Sequence, residues 1–253
     1  MKVTILQLKP TLGDVEKNFE NFGRWIKGAA EYGADTVILP ELWSTGYYPT
    51  PVENFADKNC ERTKKFIGEL AKSCGVNIVA GSVIAQVKGK IFNRSLIFNR
   101  RGRLLTFYDK AHLFSFAGEE KIFSAGNKIK TFELDGVKCG IAICYDLRFP
   151  EFIRKIALEG IEILFCPAAW SLKRLLPRQF LSKARAIENQ IFVVFANSSG
   201  ISEIINPLGD NLAVAGVGEQ MLSAEIDLNF RAEVISKMNL LADRNLSTDS
   251  FKV

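Results

Sequence analysis

Val137-Lys138-Cys139-Gly140-Ile141-Ala142-Ile143-Cys144-Tyr145-Asp146-Leu147-Arg148-Phe149-Pro150-Glu151 is the stretch that organises the chain. Val137 to Ile143 is a short run of small and β-branched apolar residues, the pattern of a buried strand. The run ends in Cys144, and polar chemistry then crowds in as Tyr145, Asp146 and Arg148. Pro150 stands where a helix starts, and Phe152, Ile156 and Ala157 resume an apolar face at helical spacing. A thiol between a buried strand and a helix sits at the rim of a sheet, where open α/β sheets keep their sites. A free cysteine can equally be a small core hydrophobe. This stretch alone leaves both readings open.

Working outward, the 253 residues are 47% hydrophobic, enough for one large core. No linker, low-complexity run or composition break divides them, so residues 1–253 read as a single domain. The net charge of +5 is spread along the chain, and its densest cluster, Asn99 to Arg103, reads as a hairpin turn. A nucleic-acid partner would need a basic face with interleaved aromatics, and none is visible. The start, Met1 to Pro10, has too short an apolar core for a signal peptide, and no run approaches a membrane span. A cytoplasmic, reducing setting follows, in which Cys60, Cys74, Cys139, Cys144 and Cys166 are free thiols.

His112 is the single histidine. A multi-histidine zinc site is therefore impossible within the chain, and no CxxC pair replaces it. Cys139 and Cys144 have opposite parity on one strand, so their sulfurs face apart. No P-loop or GxGxxG is present. Neither a metal nor a cofactor is expected.

Lys2 to Leu8 reads as a first strand, and Asp14 as the cap of a helix running to Tyr32. Thr36 to Leu39 is a short buried strand, followed by Pro40, Glu41 and an aromatic loop containing Trp43, Tyr47 and Tyr48. A helix over 60–74 leads to strands at 76–87, 91–99 and 104–109, joined at Lys88-Gly89 and Arg101-Gly102. Lys110 follows the last of these. Ile161 to Cys166 ends in Pro167-Ala168-Ala169-Trp170, and a helix over 177–189 should carry Arg178, Lys183, Arg185 and Glu188 on its outer side. Ile191 to Ala196 is a strand buried on both faces. Strands over 203–205, 212–217 and 221–226 and a helix over 227–237 complete the list. The polar tail, Met238 to Val253, is expected to rest on a surface outside the core.

Glu41, Lys110 and Cys144 each stand at a strand end. A water-shielded carboxylate can take a thiol proton, the thiolate can attack a carbonyl or nitrile carbon, and an ammonium can stabilise the oxyanion. The backbone N–H of Tyr145 is a further oxyanion donor. Each of the three is also readable as a surface charge or a core thiol.

Three motifs resemble the nitrilase, or carbon–nitrogen hydrolase, superfamily: Leu39-Pro40-Glu41-Leu42-Trp43, Tyr108-Asp109-Lys110-Ala111-His112-Leu113, and Ile143 to Glu151. Gly46-Tyr47, Ala184 to Asn189 and Asn206-Pro207-Leu208-Gly209 extend the likeness nearly end to end. The resemblance implies an α-β-β-α sandwich of the α/β class, paired as a homodimer through helices beside the site. It implies Glu41 as general base, Lys110 as oxyanion stabiliser and Cys144 as nucleophile. It also implies a second glutamate ahead of an Ala-Gly turn; Ala125-Gly126 selects Glu119 over Glu120. Tyr47, Tyr145 and Trp170 are the expected substrate-binding residues. The form Cys-Tyr-Asp-Leu-Arg-Phe-Pro-Glu looks most like the ω-amidase branch, acting on small ω-amides of dicarboxylic acids. Nitrile or N-carbamoyl amide hydrolysis by the same three residues, and a silent binding protein of the same fold, are the alternatives. The connection Ser198 to Ser202 is shorter than the family's usual loop.

Overall fold

The computed structural model describes residues 1–198 and 200–244. In chain order the elements are β1 (Lys2–Gln7), α1 (Val15–Glu31), β2 (Thr36–Ile38), β3 (Asp57–Lys58), α2 (Glu61–Cys74), β4 (Asn77–Val79), β5 (Val83–Val87), β6 (Lys90–Phe98) and β7 (Leu104–Asp109). The second half holds β8 (Thr131–Leu134), β9 (Val137–Ile141), α3 (Pro150–Leu158), β10 (Ile163–Ala168), α4 (Leu175–Asn189), β11 (Phe192–Asn197), β12 (Glu203–Ile205), β13 (Asn211–Val214), β14 (Gln220–Glu225) and α5 (Leu228–Lys237).

Two sheets form. One runs β14-β1-β2-β4-β6-β5-β3, with β7 also paired to β6; the other runs β13-β12-β11-β10-β9-β8. Strand alternation explains the layers. Val3 and Ile5 of β1, Cys139 and Ile141 of β9, Ile163 and Phe165 of β10, and Phe192 and Val194 of β11 fill one cluster between the sheets. The residues of opposite parity meet helices instead. Leu6 and Val37 pack on Phe19, Phe22 and Ile26 of α1, while Leu164, Val193 and Phe195 pack beside Ile153, Ile156 and Ala186 of α3 and α4. The result is the α-β-β-α sandwich. Strands β10 and β11 are buried at every position, which is why they read as unbroken apolar runs.

Several elements differ from the sequence reading. The expected strand over 76–87 is two strands, β4 and β5, broken at Gly81. Its φ is +49°, and a Cβ there would lie 2.0 Å from the Pro40 carbonyl oxygen, so only glycine fits. The sequence reading also lacked β8, an antiparallel partner of β9. On α4, Arg178 and Arg185 are buried rather than outward. Arg178 meets the Glu203 carboxylate at 2.5 Å. Arg185 donates to the Leu147 carbonyl at 3.0 Å, which ties α4 to the turn after Cys144. The outward face of α4 is instead apolar: Leu176, Phe180 and Ile187 are exposed. The start of the C-terminal tail rests on its own chain, where Gln190 Nε2 donates to the Met238 carbonyl and Leu240 N–H to Gln190 Oε1. Residues 245–253 of that tail lie outside the described residues.

The sheets are pinned at the end away from the candidate site. Asn77 of β4 donates to Asp135 in the β8–β9 turn at 2.6 Å, and Arg100 reaches Asp135 from the β6–β7 turn, with Nε at 3.0 Å from Oδ1. Among the described residues, no helix is long and apolar enough to cross a membrane.

Candidate active site

Glu41 follows β2, Lys110 follows β7 and Cys144 follows β9. Tertiary structure brings the first two into direct contact. Lys110 Nζ lies 2.7 Å from Glu41 Oε1 and 2.9 Å from Glu119. All three are essentially out of solvent, Glu41 and Lys110 at 1% and Glu119 at 0% exposure. Glu120, the neighbouring acid, is exposed.

Each carboxylate is held from several sides. Glu41 Oε1 also accepts from Asn93 Nδ2 at 2.9 Å, and its Oε2 accepts from the Ala169 amide at 2.9 Å. Glu119 accepts from the Tyr47 hydroxyl at 3.0 Å and from the Phe114 amide at 2.8 Å. The sequence reading did not single out Asn93. Its signal is there: Ile91, Asn93, Ser95 and Ile97 share one face of β6, so a carboxamide occupies an inward position between apolar residues.

Cys144 differs from its expected place at a strand terminus. β9 ends at Ile141, and Cys144 opens a 3₁₀ turn, Cys144–Arg148, with φ of +46°. An L-residue pays about 1–2 kcal/mol for that left-handed conformation. The turn is held from within: Asp146 Oδ2 accepts the Ile143 amide at 2.9 Å, in place of a ladder bond. Leu42, immediately after Glu41, is also left-handed, at φ +51°, and its amide donates to Ser82 Oγ at 2.9 Å.

The electrostatics follow from burial. Burial works against the Lys110 charge, but the carboxylates of Glu41 and Glu119 oppose it and the ammonium is held above the ordinary lysine range. Burial raises the Glu119 carboxyl, and Lys110 opposes that rise. Burial, and then the Glu41 charge, push the Cys144 thiol well above the usual thiol range, with Lys110 and the Ala169 amide pulling the other way. The resting thiol therefore keeps its proton.

A cavity of about 580 Å³ opens onto Cys144. Tyr47, Tyr145 and Trp170 all line it. Arg148, Lys173 and Arg174 line it too, and among the described residues no acid does. The Arg148 guanidinium lies over the Trp170 ring, 4.7 Å from its centroid. Trp170 is fixed by Asn197, whose carboxamide accepts from its amide at 2.7 Å and donates to its carbonyl at 2.9 Å. Among the described residues, no group of three or more His, Cys, Asp or Glu could hold a metal ion.

A family model described as carbon-nitrogen hydrolase matches residues 2–235. The chain belongs to the carbon–nitrogen hydrolase family. A 2-oxoglutaramate amidase of Bacillus subtilis (strain 168) is 39% identical to this carbon–nitrogen hydrolase over 254 residues, covering 96% of this chain and 98% of that protein. The omega-amidase NIT2-A of Xenopus laevis is 32% identical over 245 residues, covering 90% and 89%. The crystal structure of Saccharomyces cerevisiae Nit3, a member of branch 10 of the nitrilase superfamily, superposes with a TM-score of 0.90 at 27% identity, covering 99% of this chain and 97% of that one.

Because the Cys144 thiol is raised, alkylation of this hydrolase by iodoacetamide should be slow at neutral pH and keep climbing through the alkaline range. Mass analysis of the Cys144 peptide across a pH series checks this. A plateau already reached near neutrality would mean a preformed thiolate.

Proposed function

We propose that this hydrolase is an amidase of the ω-amidase type, releasing ammonia from a small linear amide that also carries a carboxylate. The observation that carries the substrate class is the charge of the cavity. Arg148, Lys173 and Arg174 line it, with no lining acid among the described residues. Among the described residues the Arg148 guanidinium meets the rings of Tyr145 and Trp170 and no carboxylate, so a substrate carboxylate can supply one. The similarity to a 2-oxoglutaramate amidase points the same way.

In this reading the Cys144 thiol passes its proton to Glu41 as sulfur attacks the amide carbon. Lys110 and the Tyr145 N–H face the oxyanion that forms. Glu41 returns the proton to the amide nitrogen, the C–N bond breaks, and ammonia leaves behind a Cys144 thioester. Water then attacks the thioester with Glu41 again accepting a proton, and the acid departs as the thiol is restored. Glu119 keeps a negative charge beside Lys110 while Glu41 is protonated. That is the support for a second buried carboxylate on one ammonium.

The proposed homodimer rests on α4. Leu176, Phe180 and Ile187 are 63%, 67% and 45% exposed, at spacings that place them along one side of the helix. The family resemblance pairs helices beside the active site, and α4 directly follows the cavity-lining turn. Light scattering at micromolar concentration should show twice 28.2 kDa, and a species of 28.2 kDa alone would contradict the pairing.

The mechanism makes a graded set of variants. Cys144→Ala should abolish turnover while remaining folded, and Cys60→Ala, Cys139→Ala and Cys166→Ala should keep it. Lys110→Met should lower kcat by about 10²–10³, the usual cost of one oxyanion donor. Glu119→Gln should lower kcat with KM largely kept, and Glu120→Gln should match the parent. Full turnover by Cys144→Ala would sink the mechanism.

The substrate reading is tested by an ammonia-release screen across amides, nitriles and N-carbamoyl compounds. Monoamides of four- and five-carbon dicarboxylic acids should rank first. Arg148→Ala should raise their KM by about tenfold or more, as loss of a charged hydrogen bond implies, and leave uncharged amides nearly unaffected. A nitrile or carbamoyl compound ranking first would replace this reading with one of the alternatives.

A further inference from the structure

We propose that His112, the single histidine, is a positioning residue. It acts through Asp146 to fix Lys110 and Cys144 relative to one another. The inference rests on the reading of those two residues as oxyanion stabiliser and nucleophile.

The Asp146 carboxylate is fully buried and receives four hydrogen bonds. Its Oδ1 accepts from the His112 amide and from His112 Nδ1, both at 2.8 Å. Its Oδ2 accepts from the Tyr108 hydroxyl at 2.7 Å and from the Ile143 amide at 2.9 Å. The Tyr108 hydroxyl in turn accepts from the Ala111 amide at 3.1 Å. Three of the four donors thus come from residues 108–112, which carry Lys110. The fourth is the amide just before Cys144. One carboxylate therefore ties the end of β7 in the first sheet to the left-handed turn after β9 in the second.

The imidazole is held for this task. Its ring stacks on Phe149 with centroids 3.8 Å apart and planes 13° apart, and meets Phe152 edge-on at 4.9 Å. Both phenyl rings belong to the segment that follows Cys144. A carboxylate oxygen can only accept here, so Nδ1 is the protonated nitrogen. His112 does not line the cavity on Cys144. The ring is spent on Asp146, and this separates the arrangement from a cysteine–histidine pair, in which the imidazole would face the sulfur.

An asparagine side chain can place its amide nitrogen about where Nδ1 lies, and a leucine cannot donate at all. The two variants therefore separate the donor from the volume. We expect His112→Leu to lower kcat for glutaramate by about 10- to 100-fold with KM within about twofold, since small misplacements of reacting groups reach that size. His112→Asn should stay within a few-fold of the parent. Tyr108→Phe, which removes another Asp146 donor without adding volume, should also lower kcat with KM kept. A second readout needs no substrate. Iodoacetamide alkylation at the Cys144 peptide, at one fixed pH, should slow in His112→Leu and not in His112→Asn, because Lys110 no longer faces the sulfur. Melting curves confirm that each variant compared is folded.

His112→Leu with parental kcat and alkylation would overturn the proposal. So would His112→Asn impaired as deeply as His112→Leu, which would give the ring a role beyond donation. A parent enzyme that hydrolyses no ω-amide while the alkylation pattern holds would remove the substrate reading and leave the positioning role standing.

Discussion

A buried ammonium between two buried carboxylates is the constraint on which the rest of this structure depends. Lys110, Glu41 and Glu119 are shielded from water together. An isolated charge in that place would be very costly, and removing one partner of a buried pair typically costs about 3–5 kcal/mol. Lys110 alone does not satisfy every carboxylate oxygen, so neutral donors must complete the shell. Asn93, Tyr47 and the amides of Ala169 and Phe114 do so. Those donors come from β6, the aromatic loop after Glu41, the end of β10 and the segment before Glu119. The cluster is therefore a meeting point for both sheets, and it forms only once the sandwich has closed. Its geometry is a tertiary property of the whole domain.

The same constraint accounts for the backbone around it. Leu42 and Cys144 are left-handed L-residues, and Gly81 sits where any side chain would strike the Pro40 carbonyl. All three lie beside the charged cluster or opposite its chain. Such conformations cost free energy locally and persist where surrounding bonds over-determine them. Here Ser82 holds the Leu42 amide and Asp146 holds the turn at Cys144.

Much of this was legible in the sequence, for physical reasons that differ by element. Strands buried on both faces announce themselves as apolar runs, and the two-residue turn Lys88-Gly89 is read directly, with Val87 paired to Lys90. Glu41, Lys110 and Cys144 stand out in the sequence because their chemistry is complementary, although β2 ends at Ile38 and β9 at Ile141, three residues short of Glu41 and Cys144. What was not legible depends on partners distant in sequence. Arg178 and Arg185 look like surface charges until Glu203 and the Leu147 carbonyl are brought to them. Gly81 interrupts an apolar run whose break is dictated by Pro40, some forty residues earlier. β8 is short and half polar, and only its pairing with β9 defines it. Asn93 showed a signal, an inward polar residue, but nothing local said that its partner is Glu41.

The tie among Asn77, Arg100 and Asp135 bears on how the molecule can move. Two sheets packed through apolar side chains can slide, one layer over the other, because such contacts are non-directional. Lys110 is carried by one layer and Cys144 by the other, so that sliding would directly change their separation. The polar tie anchors one end of the sandwich, and Asp146 bridges the layers at the other. With both ends fastened, shear between the layers is suppressed. Whatever adjusts around the cavity can then do so without changing the spacing of Lys110 and Cys144.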